Sequence, residues 1–124
     1  MQREAFQLRI RAGCEAAYDE EHRRVWPELL VELQALGVRR YSIFRYGQQL
    51  FLSLLVPDFN VLQKKLDVSD VNQRWQQKMA PQFEPIPGLK EGESLAMMEE
   101  VFYMVGGAFC EQEEADEERH AESV

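Results

Sequence analysis

A phenol, an imidazole and an indole recur at four-residue intervals as Tyr18, His22 and Trp26. On a helix that spacing puts all three along one side. Of the three, the imidazole is the group that both gives and takes a proton near neutral pH. Pro27 follows directly; it lacks an N–H and clashes with the carbonyl four residues back, yet fits a first helical turn. The pattern predicts a bend or restart around Arg24 to Pro27. Such a bend sets His22 at the end of one helical segment, beside a polar opening rather than inside a packed ridge. His120, the second histidine, sits among acidic residues and is expected to be solvated.

Each of these residues also has a plain reading. His22 is flanked by Glu21, Arg23 and Arg24, and spacing alone reads it first as a surface or half-buried histidine without a role. Tyr18, Tyr41 and Trp75 read first as core or interface aromatics, the usual use of such large side chains. Their other use is as a wall for the C–H face of a sugar, with the Tyr18 and Tyr41 hydroxyls turned to sugar oxygens. Glu20 and Glu21, like Glu99 and Glu100, are adjacent and so point in different directions, as solvated faces do. No two histidines are close enough to suggest zinc ligands, no glycine-rich loop follows a strand, and no serine or cysteine lies in a nucleophile motif. What is left is a site without metal or cofactor, built on one acid/base group.

Composition narrows the setting. The chain has 124 residues, 45% hydrophobic and 29% charged, which suits one domain with its own core. Of the net charge of −8, seven acidic residues against one arginine in Glu111 to Val124 account for −6, which leaves −2 for residues 1–110. The body is nearly neutral and lacks the basic footprint of a nucleic-acid or anionic-membrane binder. No apolar run is long enough to span a bilayer, and MQREAF has no signal-peptide centre. Cys14 and Cys110 stand in no metal or redox spacing and read as free thiols of a cytoplasmic protein. The domain is expected over residues 1–107, with an acidic, disordered tail over 108–124.

The elements that must position these residues follow from periodicity. Ala5 to Ile10 alternates as a strand, and Glu15 to Leu36 carries apolar residues three or four apart as a helix interrupted at Pro27. Gly37 suits a left-handed cap. Val38 to Tyr46 and Leu50 to Val56 read as strands joined by a tight turn at Gly47 and Gln48, with Tyr41 and Ile43 on one side. Asp58 caps a helix to about Leu66, and Ser69 or Asp70 caps another from Val71 to about Met79. The prolines and glycines from Pro81 to Gly92 mark a long loop, and Leu95 to Met104 reads as a fourth strand. The order β-α-β-β-α-β is the α+β, ferredoxin-like plan. Apolar residues on both faces of the central strands predict that a second copy covers the free face, as a homodimer.

Four separated motifs then match one family. Tyr18 to Leu29 (Y-x-x-x-H-x-x-x-W-P-E-L), Gly37 to Ile43 (GVRRYSI), Gln73 to Trp75 (QRW) and Glu99 to Tyr103 (EEVFY) resemble the L-rhamnose mutarotases, over about Ala5 to Met104. The resemblance implies a ferredoxin-like protomer paired into a dimeric α/β barrel. It further implies interconversion of the α and β anomers of L-rhamnose, or of a related deoxy sugar, without cofactor. By resemblance His22 is the proton donor, Tyr18 and Tyr41 bind sugar hydroxyls, and Trp75 is an apolar wall. Gln76 stands where the family usually has a second tryptophan, which bears on sugar preference. A non-catalytic, dimeric sugar-binding or regulatory protein on the same fold is the alternative. A cofactor-free oxygenase on such a barrel would rest on fold analogy alone.

Overall fold

Alternating side chains build the sheet on which everything else is laid. In the computed structural model, which describes residues 1–93 and 95–107, the long strands are β1 (Gln2–Ile10), β2 (Arg40–Tyr46) and β3 (Gln49–Val56). Two short ones, β4 (Phe83–Glu84) and β5 (Ala96–Met98), complete it. The order is β2-β3-β1-β4, with β5 also paired to β1, and every pairing is antiparallel. Phe6 lies opposite Leu52, Ile43 opposite Leu52 and Tyr41 opposite Leu54. Opposed residues share a face. One face therefore gathers Phe6, Tyr41, Ile43 and the buried Leu50, Leu52, Leu54 and Val56, each apolar burial stabilising by roughly 1.5–3 kcal/mol.

Helices α1 (Glu15–His22), α2 (Pro27–Ala35), α3 (Phe59–Asp67) and α4 (Asp70–Met79) pack Tyr18, Leu29, Phe59, Leu62, Val71, Trp75 and Met79 against that face. The expected caps are present. Asp58 accepts from the Val61 N–H at 3.1 Å and Ser69 from the Asn72 N–H at 3.3 Å. Gly37 takes φ +106° after α2, and Gly47 takes φ +60° in the turn between β2 and β3, a conformation L side chains rarely adopt. Among the described residues no helix is long and apolar enough to cross a membrane.

Some of the expected strand bounds differ. The first strand begins at Gln2 rather than Ala5. The segment from Glu15 to Leu36 restarts at Pro27 as expected: it is two helices, with residues 23–26 outside both. The final strand is short: only Ala96–Met98 joins the ladder, because side chains take over where the ladder would continue. Arg3 grips Glu100 with two hydrogen bonds of 3.0 Å and lies 3.4 Å over the Tyr103 ring. The proline-rich loop in turn contains a 3₁₀ turn at Ala80–Gln82 and then β4. There Glu84 accepts from Arg9 at 2.6 Å. The sheet face away from the helices carries Phe44 and Tyr46, 65% and 82% exposed. The tail expected over 108–124, with Cys110 and His120, lies outside the described residues.

Candidate active site

The bend that Pro27 imposes makes the site. Helix α1 stops at His22, with the Arg23 N–H turned to the Asp19 and Glu20 carbonyls at 3.2 and 3.1 Å. The residue before a proline is driven out of the helical region. Trp26 accordingly adopts φ −56°, ψ 128°, and Pro27 opens α2 in its first turn. The bend turns Trp26 onto Trp75 of α4, ring centroids 5.1 Å apart at 81°.

His22 is held from three sides. Its ring stacks on Tyr18, 4.1 Å and 27°, and meets Trp75 edge-on at 5.7 Å and 86°. Nδ1 lies 2.9 Å from the Tyr18 carbonyl oxygen. That oxygen can only accept, so Nδ1 carries a hydrogen and Nε2 is the free nitrogen of the ring. Phe83 meets Tyr18 edge-on at 6.1 Å.

A cavity of about 720 Å³ opens between the helices and the sheet, a size that suits a small organic ligand. His22, Tyr41, Trp75 and Gln76 all border it. Trp75 is at once wall and core, with 6% of its surface accessible. Tyr41 keeps 41% of its surface accessible, along the cavity, yet burial around its hydroxyl pushes that group up to about 12. Burial, and then the neighbouring Tyr41 and Asp19, push the Tyr18 phenol higher still. Both tyrosines therefore present neutral O–H groups. Tyr18 is only 3% accessible and stands behind His22 rather than along the cavity wall.

Charge keeps α1 in place. Asp19 accepts two hydrogen bonds from Arg45 of β2, at 2.7 and 2.6 Å, and this holds its carboxyl below the usual carboxylate range. Glu21 pairs with Lys78 at 2.9 Å, which ties α1 to α4. Glu20, Glu21 and Glu100 are all in ion pairs, and Glu99 lies exposed. Among the described residues no group of three or more His, Cys, Asp or Glu could hold a metal ion.

Polar wall residues that sequence reasoning did not name for the site include Arg39 and Asn72. Strand alternation puts residue 39 on the face of Tyr41, and helix spacing puts residue 72 on the face of Gln76. Periodicity could have found both. Gln76 Nε2 donates to Asn72 Oδ1 at 3.4 Å.

Residues 3–104 match the model of the L-rhamnose mutarotase family. An L-rhamnose mutarotase of Leptothrix cholodnii is 37% identical over 97 residues, 68% of this chain and 91% of that one. One of Opitutus terrae is 51% identical over 53 residues, 41% of this chain and about half, 51%, of its own length. The crystal structure of an L-rhamnose mutarotase from Formosa agariphila superposes with a TM-score of 0.68 at 31% identity, over 84% of this chain and 99% of that one. Tetracenomycin F2 cyclase from Streptomyces glaucescens shares the fold, with a TM-score of 0.54 at 22% identity over 84% of this chain and 96% of that one.

Proposed function

The chain belongs to the L-rhamnose mutarotase family, and from that premise we propose that it interconverts the anomers of L-rhamnose through His22. It is an enzyme of the isomerase type. The observation that carries the assignment of His22 is the fixed imidazole beside the cavity, with Nδ1 committed to the Tyr18 carbonyl.

Mutarotation requires the C1–O5 bond to open and close again on the other face of C1. Protonated His22 gives its Nε2 proton to the ring oxygen O5 as that bond breaks. The nitrogen, now neutral, takes the proton of the anomeric oxygen and leaves a neutral aldehyde. Both oxygens are bonded to C1, so one nitrogen reaches each with a small shift. Rotation about C1–C2 and the reverse steps give the other anomer. Such proton transfer by a positioned group contributes about 10²–10⁴-fold.

Tyr41 donates its neutral hydroxyl to a sugar oxygen from the wall, while Tyr18 holds His22 from behind by stacking on it. Trp75 packs on the apolar face of the sugar, and Gln76 offers an amide where the family usually packs a second indole. The strand order supports a ferredoxin-like protomer. The exposed Phe44 and Tyr46 support a homodimer closed sheet to sheet as a dimeric α/β barrel. The free thiol of Cys14 fits the cytoplasmic setting in which we place the protein.

Saturation-transfer NMR at the anomeric protons of L-rhamnose, L-fucose and D-glucose tests the activity without a coupled enzyme. Rapid exchange of L-rhamnose is expected. Exchange confined to another sugar would transfer the specificity to Gln76 and its surroundings, and no exchange of any from folded protein would refute the activity.

A further inference from the structure

Among the described residues, Arg39 is the arginine whose side chain lacks a partner. Every other one there is engaged, with a carboxylate, a carbonyl or another group. The backbone N–H of Arg39 extends the ladder to the Leu55 carbonyl at 2.8 Å. Its Nε, by contrast, is buried without an acceptor. Native folds seldom leave a buried donor unmade, and such a group takes its acceptor from outside the chain, as solvent or as a ligand oxygen that displaces it.

The place of Arg39 says where that acceptor would be. It borders the same cavity as His22 and Tyr41, on the same face of the strand as Tyr41 and about 7 Å further along it. The Asp19–Arg45 ion pair fixes α1 over the far end of β2. Along β2 the succession is therefore α1, then Tyr41, then Arg39. A sugar whose anomeric carbon meets His22 at the end of α1 extends its opposite side towards Arg39.

We propose that Arg39 is a specificity-determining residue of this cavity, its guanidinium donating to a vicinal pair of ring hydroxyls on the side of the sugar away from C1. A guanidinium presents its N–H groups as a rigid planar fork and is weakly hydrated, so it spans two neighbouring oxygens where an ammonium serves one. A small turn of the side chain gives Nε an acceptor. The assignment rests on the mutarotase reading, which supplies the position of C1.

The test measures anomeric exchange of the full-length protein against L-rhamnose concentration, with Arg39→Met and Arg39→Lys alongside. Methionine keeps an unbranched apolar stem and removes the unmade donor. Arg39→Met is expected to raise the half-saturating concentration about tenfold, while exchange at saturation stays within about twofold and the melting temperature does not fall. Arg39→Lys recovers part of the loss. The 3-deoxy and 4-deoxy analogues should bind less well than L-rhamnose to the wild type but no worse than it to Arg39→Met. Unchanged half-saturation in folded Arg39→Met overturns the assignment and leaves the activity standing. A fall in melting temperature with unchanged half-saturation overturns it too, in favour of a structural role. Failure of the wild type to exchange L-rhamnose overturns the activity, and this assignment with it.

Discussion

The Nδ1 atom of His22 lies 2.9 Å from the carbonyl oxygen of Tyr18, one helical turn earlier. In α1, which ends at His22, that carbonyl is the acceptor for the backbone N–H of His22, and its second lone pair is the one the imidazole takes. The imidazole thus fixes its own tautomer in this one contact. Stacking on the Tyr18 ring sets the plane of the imidazole.

Trp75 serves both the core and the cavity, so its removal should be felt twice. Trp75→Ala is expected to cost about 3–5 kcal/mol of stability and to weaken L-rhamnose binding. Trp75→Phe keeps an aromatic wall and should lose less of both. Denaturant unfolding and sugar titration check the two effects separately. Unchanged affinity in a folded Trp75→Ala variant would remove its role as a wall.

Tyr41 ties stability to alkaline pH. Its hydroxyl is pushed up to about 12, above the value of about 10 expected in an unfolded chain. Between those values the unfolded state loses the proton while the folded state retains it. Stability is thus fully present below about pH 10 and falls as pH rises towards 12. Melting temperatures across that range should drop more steeply for the wild type than for Tyr41→Phe, and parallel curves would refute the assignment.

Gly37 controls how β2 is delivered after α2. At φ +106°, and with Pro57 Cδ 3.4 Å from where a Cβ would sit, Gly37→Ala should destabilise by about 1–2 kcal/mol. Urea midpoints test this, and a neutral effect would mean that the turn readjusts freely.

The exposed face bears on assembly. Phe44→Asp puts a charge where a second sheet would pack and is expected to convert a dimer to a 14.5 kDa monomer in light scattering. A wild type that already runs as a monomer at micromolar concentration would contradict the dimer.

Much of this was legible in the sequence because local rules acted alone. Pro27 dictated the end of α1, Asp58 and Ser69 dictated two caps, and alternation put Tyr41 and Ile43 on one face. The last strand was misjudged because Glu100 and Tyr103 engage Arg3, a contact 97 residues away in sequence that no local pattern records. Of the site residues that the family resemblance implies, His22, Tyr41, Trp75 and Gln76 border the cavity and Tyr18 does not. Arg39 was passed over because a charged residue beside Arg40 reads as a solvated edge. Alternation gives its face, but the burial of its Nε is a tertiary fact that no local pattern records.

The most direct test of the account is the anomeric exchange rate of L-rhamnose in His22→Gln, set beside the wild type at the same pH. Glutamine can occupy the space and hydrogen-bond but cannot carry a proton between O5 and the anomeric oxygen. A loss of about 10²–10⁴-fold is expected, with the melting temperature and sugar affinity little changed. Wild-type exchange from folded His22→Gln would contradict it.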